Sequence, residues 1–251
     1  MCGIFGYLGP RQASPILLNG LRRLEYRGYD STGIAVKNGS IRIHKKVGKV
    51  GDLESILPDE IPGTEGIAHT RWATHGGVTD ANAHPHESAQ RKVVIVHNGI
   101  IENYLELRKK LTADGYEFSS ETDSEVIAHL LNQHFRVLGN LLDAMHEVIK
   151  ELDGAYAIAA IHIDDKNRLI VARNKSPLLI GVGLEENFAA SDPLALSQLT
   201  NQFVFLEDGD VAEIDKETYQ IYTSKNTKVT REITEIDIAV NAVTKGAYSH
   251  F

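Results

Sequence analysis

The sequence predicts an α+β fold in which strands and helices occupy separate layers. Short apolar segments between glycines fill the front of the chain, helical periodicity dominates the middle, and many short strand-like segments follow residue 154. The regular alternation of strand and helix that typifies a parallel α/β sheet is missing from this order. The pattern therefore favours a layered α+β domain.

The front of the chain predicts one helix among three strands. The apolar segments Ile4 to Leu8, Ile34 to Val36 and Ile41 to Ile43 have the length and the flanking glycines of strands. Apolar residues from Pro15 to Leu24 recur at helical spacing and predict a helix.

The middle of the chain predicts a strand followed by helices. The β-prone run Val93 to Val96 stops at Asn98-Gly99, and the apolar residues after it recur at helical spacing. A helix should therefore begin just after Gly99 and stop near Gly115. Thr122 to Glu125 has the pattern of a capping box, which places Asp123 in the first turn of a second helix.

A third helix should begin at Leu141, and strands should follow Gly154. The predicted strands are Ala155 to Ile163, Leu169 to Ala172, Leu178 to Val182, Phe188 to Ala190, Phe203 to Leu206, Val211 to Ile214 and Ile221 to Thr223. Residues 1–229 are expected to form one domain. Residues 230–251 lose periodicity and resemble a linker cut short.

Composition indicates a soluble, cytoplasmic protein. A chain of 251 residues that is 42% hydrophobic can bury a sufficient core, and its single cysteine cannot form an internal disulfide. The net charge of −8 disfavours nucleic acid or an anionic membrane as a partner. The longest apolar run, Ala155 to Ile161, is too short to span a bilayer, and no signal peptide opens the chain. The basic segment Arg42 to Lys49 is interpreted as a solvated strand edge, with phosphate binding as the alternative.

The only cysteine, Cys2, directly follows the initiator methionine. Removal of Met1 would give Cys2 a free α-amine with a pKa of about 7.7–8.0, so that one residue would carry both a nucleophile and a base. The alternative is that Cys2 is a small apolar residue at the start of a buried strand.

The segment Ala68 to His86 combines polar residues, glycines and the only tryptophan with little periodicity. Arg71 beside Trp72 in such a loop could hold a substrate carboxylate and cover it, with Gly76-Gly77 as a hinge. The alternative is a surface loop with a solvated Arg71 and a half-buried Trp72. Imidazoles at His75, His84 and His86 permit a metal hypothesis, which the lack of a zinc-type spacing disfavours.

Asn98-Gly99 at a strand end could supply an oxyanion hole, with the Gly99 N–H exposed at the start of a helix. Asn-Gly is also a common turn dipeptide. Asp123 could pair with a substrate ammonium group, or it could simply favour a helix start.

Together these stretches resemble the class II glutamine amidotransferases. The matching segments are MCGIFGY, LEYRGYDSTGIA, HTRWATHG, HPH, VVIVHNGIIENY and SETDSEVIAHL. The resemblance runs over nearly the whole chain. The motifs EYRGYDS and HTRWATHG look specific to the sugar-phosphate branch of the family.

The resemblance implies a glutaminase domain with the four-layer αββα sandwich of N-terminal-nucleophile hydrolases. In it, Cys2 attacks the amide of L-glutamine, and a glutamyl thioester forms and is hydrolysed. By this resemblance, Asn98 and Gly99 would stabilise the oxyanion. Arg71, with Thr74 and His75, would bind the carboxylate of glutamine, and Asp123 would bind its ammonium group. The loop that holds Trp72 would close over glutamine, and Arg27 would support the nucleophile.

No cofactor or metal is implied for this half-reaction. In the sugar-phosphate branch a C-terminal isomerase module follows the KGAYSHF region and receives the ammonia, and such a module is not expected within these 251 residues. Two alternatives stay open: a glutaminase domain that serves another acceptor, and a non-catalytic module that binds glutamine through Arg71 and Asp123.

Overall fold

The computed structural model describes residues 2–165 and 167–237. The strands are β1 (Gly3–Leu8), β2 (Ser31–Asn38), β3 (Ser40–Val47), β4 (Glu65–Arg71), β5 (His86–Glu87), β6 (Val93–Ile101), β7 (Gly154–His162), β8 (Leu169–Asn174), β9 (Leu179–Val182), β10 (Asn187–Ala190), β11 (Gln202–Phe205), β12 (Val211–Ile214), β13 (Tyr219–Tyr222), β14 (Lys228–Val229) and β15 (Ile233–Glu235). The α-helices are α1 (Ala13–Leu24), α2 (Val50–Glu54), α3 (Tyr104–Ala113), α4 (Glu125–Leu138) and α5 (Leu141–Glu151). Single 3₁₀ turns lie at Glu25–Arg27, Ala89–Arg91 and Pro193–Leu196.

The strands form two sheets. The first sheet has the order β15-β11-β9-β10-β1-β4-β2-β3, and the second has the order β14-β13-β12-β8-β7-β6-β5. The strand pairs in both sheets are antiparallel. β1 therefore lies near the centre of the first sheet, between β10 and β4.

Three hydrophobic cores define the layers. Phe5 on β1 packs with Leu17 and Leu21 of α1 on the outer face of the first sheet. Ile4, one residue earlier, lies in the core between the two sheets, because successive side chains of a strand point to opposite faces. A third core joins the second sheet to α3, α4 and α5. The result is the four-layer αββα sandwich, so the predicted fold class is confirmed.

Several predicted elements are confirmed. α1, α5 and strands β7 to β13 lie where the sequence places them, within one or two residues at their ends. α3 ends at Ala113, and the following turn passes through Gly115 at φ +89°, a conformation that favours glycine. β3 is an edge strand of its sheet, as the interpretation of the basic segment expects. Lys45 within that segment is not solvated, however, because its Nζ donates hydrogen bonds to the carbonyl oxygens of Ala81 and Ala83.

Two local predictions are wrong. No helix begins at Gly99: β6 continues through Asn98 and Gly99 to Ile101, because both pair in register with β7, and α3 begins at Tyr104. The capping box is also absent. α4 begins at Glu125, whose carboxylate accepts hydrogen bonds from Ser119 and Ser120 rather than from the helix start. Asp123 therefore precedes the helix.

The segment predicted as a linker, residues 230–251, contributes a strand to the domain. Ile233–Glu235 within it pair with β11 at the edge of the first sheet. Residues 238–251, including the KGAYSHF region, lie outside the described residues. Among the helices of the described part, none is long and apolar enough to cross a membrane.

Candidate active site

Cys2 lies at the entrance of β1, beside the end of β4. Gly3 pairs with Thr70 in the register of these strands, which brings Cys2 next to Arg71 and Trp72. The Sγ atom of Cys2 accepts a hydrogen bond from the main-chain N–H of Trp72 at 3.2 Å and lies 3.5 Å from the Trp72 carbonyl oxygen. Burial raises the pKa of the thiol, although the Trp72 N–H and the Arg71 charge act in the opposite direction. The resting side chain is therefore a thiol that needs a base.

Arg71 is the last residue of β4 and is buried, with 3% of its surface exposed. The guanidinium donates hydrogen bonds to the carbonyl oxygens of His75 and Gly77 and lies 3.8 Å from an Asp30 carboxylate oxygen. The interpretation of Arg71 as a solvated loop residue is thus wrong. A strand fixes its main chain, and its charge organises the loop that follows.

Asp30 is a site residue that sequence reasoning missed. Its carboxylate accepts hydrogen bonds from the Ala73 N–H and from the Ser31 hydroxyl, the latter at 2.9 Å, and its N–H bonds to the Arg71 carbonyl at 2.7 Å. Its charge also contributes to the raised pKa of the Cys2 thiol. Asp30 lies in the segment LEYRGYDSTGIA, one of the segments that resemble the family, but the resemblance alone gave no role to Asp30.

Trp72, Thr74 and His75 lie on the loop after β4. Trp72 is 54% exposed, and its ring covers Gly28 so closely that a Cβ there would lie 2.7 Å from it. Thr74 is exposed, and the His75 ring meets the Tyr104 ring edge-on with centroids 5.4 Å apart. Of these three residues, Trp72 is the one that contacts Cys2, through its main-chain N–H.

A clamp of two residues, Asn82 and Glu121, holds the far end of this loop. The Asn82 amide donates to the Gly77 carbonyl at 3.0 Å and to the Glu121 carboxylate at 3.1 Å. The Gly77 N–H donates to the same carboxylate at 3.3 Å, and the Glu121 N–H donates to the Asn82 side chain at 2.9 Å. The clamp therefore joins the loop to the segment before α4.

Asn98 connects the second sheet to Cys2. Its Nδ2 donates to the Cys2 carbonyl oxygen at 3.2 Å, and its Oδ1 lies 2.9 Å from His69 Nε2. Gly99 follows at φ +126°, where a Cβ would lie 1.9 Å from the Ala155 carbonyl oxygen. The close pairing of β6 with β7 therefore requires a glycine at this position.

Asp123 and Arg27 support neighbouring segments. Asp123 is buried, and its carboxylate accepts a hydrogen bond from the Ile101 N–H at 2.8 Å, at the end of β6. Arg27 donates to the Ser191 carbonyl at 3.1 Å, and the Ser191 hydroxyl accepts from the Ile4 N–H at 3.0 Å. Arg27 is thus linked to the start of β1 through Ser191.

Histidines form a buried stack between the sheets. The rings of His69 and His84 stack with centroids 4.1 Å apart, and His84 meets His86 edge-on at 4.4 Å. Burial lowers the pKa of all three, that of His69 to about 3, so they are neutral at pH 7. His75 contacts Tyr104 instead of joining this stack. Within residues 2–165 and 167–237, no group of three or more His, Cys, Asp or Glu residues is arranged to hold a metal ion.

The structure joins Cys2 directly to Trp72 and Asn98, and it places Arg71 at the adjoining end of β4. Asp123 joins the site through β6, while Thr74 and His75 join it through the loop that Arg71 holds. Two facing antiparallel sheets between helical layers, with a cysteine at the start of the first strand, define the N-terminal-nucleophile class of domain.

Comparisons with known proteins agree with this class. A family model described as a glutamine amidotransferase domain matches residues 69–198. The glutamine–fructose-6-phosphate aminotransferase (isomerizing) of Idiomarina loihiensis is 50% identical over all of this chain and 42% of its own length. The enzyme of the same name from Acinetobacter baylyi is 51% identical over all of this chain and 41% of its own length. The chain therefore spans less than half the length of these relatives.

A solved structure supports the fold. Glutamine phosphoribosylpyrophosphate amidotransferase from B. subtilis superposes with a TM-score of 0.77 and 28% identity, over 89% of this chain and 49% of that one. This chain belongs to the glutamine amidotransferase domain family, in its class II branch with an N-terminal nucleophile. Arg71, Asn98, Gly99 and Asp123 all lie inside the segment that the family model matches.

Proposed function

We propose that this chain hydrolyses L-glutamine to glutamate and ammonia, with Cys2 as the nucleophile. The observation that carries the proposal is the position of the thiol. Sγ lies 3.2 Å from the Trp72 N–H, and the Asn98 amide donates to the main-chain carbonyl of the same cysteine. A nucleophile next to oriented amide donors is the arrangement that acyl transfer requires.

In the first step, removal of Met1 would expose the α-amine of Cys2, which takes the thiol proton as sulfur attacks the side-chain amide carbon of glutamine. The Asn98 Nδ2 and the Gly99 N–H would stabilise the oxyanion that forms. The C–N bond then breaks, the proton passes to the leaving nitrogen, and ammonia departs from a glutamyl thioester. Water attacks the thioester, which releases glutamate and restores the thiol.

Glutamine would be oriented by its two charged ends. Arg71 is the buried cation beside Cys2, so we assign it the substrate carboxylate, with Thr74 and His75 on the same loop as helpers. Asp123 would bind the ammonium group. Trp72, exposed at the entrance, would cover the bound substrate, and Arg27 would support the start of β1.

We further propose that the acceptor of the ammonia is fructose 6-phosphate. The curated relatives are named for that reaction, and about 50% identity over the whole chain supports a shared role. A sugar-phosphate isomerase module in the longer protein would receive the ammonia and form glucosamine 6-phosphate. The single cysteine suits a cytoplasmic location.

The test is glutamate release from L-glutamine by the purified chain, with intact mass measured on the same sample. The chain with Met1 removed should produce glutamate, and Cys2→Ala should abolish production while keeping the fold. Cys2→Ala that still releases glutamate would overturn the mechanism. Glutamine binding without glutamate release, in a sample with Met1 removed, would favour a binding module instead.

A further inference from the structure

The hydrogen-bond partners of His69 determine its tautomer. His69 lies on β4 of the first sheet, is fully buried, and points into the space between the sheets. Its Nε2 lies 3.0 Å from the main-chain oxygen of His97 and 2.9 Å from the side chain of Asn98. A carbonyl oxygen can only accept a hydrogen bond, so Nε2 must carry the proton.

The tautomer in turn determines which way the Asn98 carboxamide faces. An Nε2–H donor needs an acceptor, so the Asn98 atom at 2.9 Å is Oδ1. The Nδ2 group then has only one direction left, toward the Cys2 carbonyl oxygen at 3.2 Å. With the amide reversed, two donors would face each other at His69, and no N–H of Asn98 would point toward the nucleophile.

The His69 ring packs against a second buried ring. His84 stacks on it with centroids 4.1 Å apart, and burial keeps the imidazole neutral by lowering its pKa. A neutral ring with the proton on Nε2 leaves Nδ1 without a proton. Within the described residues, Nδ1 has no hydrogen-bond partner. The one N–H of the ring is therefore shared between His97 and Asn98.

We propose that His69 is a positioning residue for the oxyanion hole: its Nε2–H holds Asn98 Oδ1, so that Asn98 Nδ2 stays directed toward Cys2, where the oxyanion would form. This inference rests on the proposed glutaminase function. It assigns His69 no contact with substrate and no proton transfer. Its effect should therefore fall on the transition state rather than on glutamine binding.

The kinetic test compares five variants with the wild-type chain. His69→Phe keeps the ring shape but removes the donor, whereas His69→Gln keeps an N–H near the Nε2 position. His84→Phe is the matched control, because it changes the buried ring beside His69 without touching the bond to Asn98. Asn98→Ala, alone and combined with His69→Phe, completes a double-mutant cycle.

Loss of an oxyanion-hole donor lowers kcat by about 10²–10³-fold, so misorienting one should lower it about 10- to 100-fold. We expect His69→Phe to show that loss in kcat while its KM for glutamine stays within about threefold of the wild-type value. His69→Gln should recover most of kcat, and His84→Phe should have a near-normal kcat. In the Asn98→Ala background, His69→Phe should change kcat less than about twofold. The proposal would be overturned by a normal kcat in His69→Phe or by equal losses of kcat in His69→Phe and His84→Phe. It would also be overturned if the effects of His69→Phe and Asn98→Ala on kcat were additive in the double mutant.

A second readout needs no activity. The two Nδ2 protons of Asn98, identified in ¹⁵N spectra by their loss in Asn98→Ala, exchange as the carboxamide rotates. Their exchange should be at least about threefold faster in His69→Phe and unchanged in His84→Phe, because a held Oδ1 slows rotation. Equal exchange in wild type and His69→Phe would overturn the positioning role. A wild-type chain without Cys2-dependent glutamate release would instead refute the proposed function, and the exchange rates would still decide the role of His69.

Discussion

The Sγ atom of Cys2 lies 3.2 Å from the main-chain nitrogen of Trp72, so the thiol at the start of β1 is held by the residue that follows β4. This contact joins the nucleophile to the loop that covers it. Movement of that loop must therefore alter the surroundings of the thiol directly.

The first prediction concerns the pH dependence of Cys2 alkylation. Burial raises the pKa of the thiol, and only the thiolate reacts, so the rate with iodoacetamide should keep rising past the ordinary cysteine pKa of about 8.5. Cys2 is the only cysteine, so the mass increase reports this residue alone. The rate should be followed from about pH 6 to about pH 10. A midpoint below the ordinary pKa would show that the charges nearby outweigh burial.

The second prediction concerns Gly99. Its φ is +126°, and a Cβ on this residue would lie 1.9 Å from the Ala155 carbonyl oxygen, so both features exclude a side chain. Gly99→Ala should therefore lower the free energy of unfolding by about 3 kcal/mol or more, measured by urea denaturation. Gly115→Ala is the matched control: its φ is +89°, but nothing lies within 4 Å of a Cβ, so about 1 kcal/mol should be lost. Equal losses in the two variants would show that the contact with Ala155 is unimportant.

The difference between these two glycines also shows where sequence reasoning succeeds. Gly115 could be predicted as a helix stop because the signal is local: apolar periodicity ends and a glycine follows. Gly99 could not be placed, because Asn-Gly at a strand end predicts a turn on local grounds. The pairing of β6 with β7, residues more than fifty positions apart, overrides that preference.

Arg71 and Asp30 illustrate the same limit at the site. The motif around Arg71 identified it as a candidate, but the segment offered no periodicity to show that β4 runs up to it. Asp30 could be connected with the site only once β2 and β4 were paired, since Ser31 lies opposite Arg71 in that register. Residue identity therefore predicted the chemistry, whereas the long-range pairing determined which side chains meet.

The third prediction concerns the clamp formed by Asn82 and Glu121. Asn82→Ala removes the amide that bridges the Gly77 carbonyl and the Glu121 carboxylate, so the loop after β4 should lose one of its anchors. If that loop covers glutamine as proposed, KM should rise about three- to tenfold while kcat changes less than about twofold. Initial rates of glutamate release over a range of glutamine concentrations measure both constants.

The control for the clamp is Glu117→Ala, which removes an exposed carboxylate from the same connection between α3 and α4. It should leave KM unchanged. A decrease in kcat with unchanged KM in Asn82→Ala would mean that the clamp acts on the chemical step and not on substrate capture.

The fourth prediction concerns acid stability. His69, His84 and His86 are buried, and burial lowers the pKa of each below the ordinary value of 6.5, that of His69 to about 3. Between those pH values the unfolded chain binds protons that the folded chain does not. The contribution of these neutral histidines to the free energy of unfolding is therefore complete above pH 6.5. It is lost as pH falls, by up to about 1.4 kcal/mol per histidine and pH unit.

His84→Phe tests this directly, because phenylalanine keeps a ring in the stack but cannot take up a proton. Urea denaturation at about pH 7 and about pH 5 should show that the wild-type chain loses about 2 kcal/mol more than His84→Phe over this interval. The comparison between two pH values cancels any packing change that the substitution causes. Parallel losses in the two proteins would mean that His84 titrates alike in the folded and unfolded chains, and that the buried stack does not limit stability in acid.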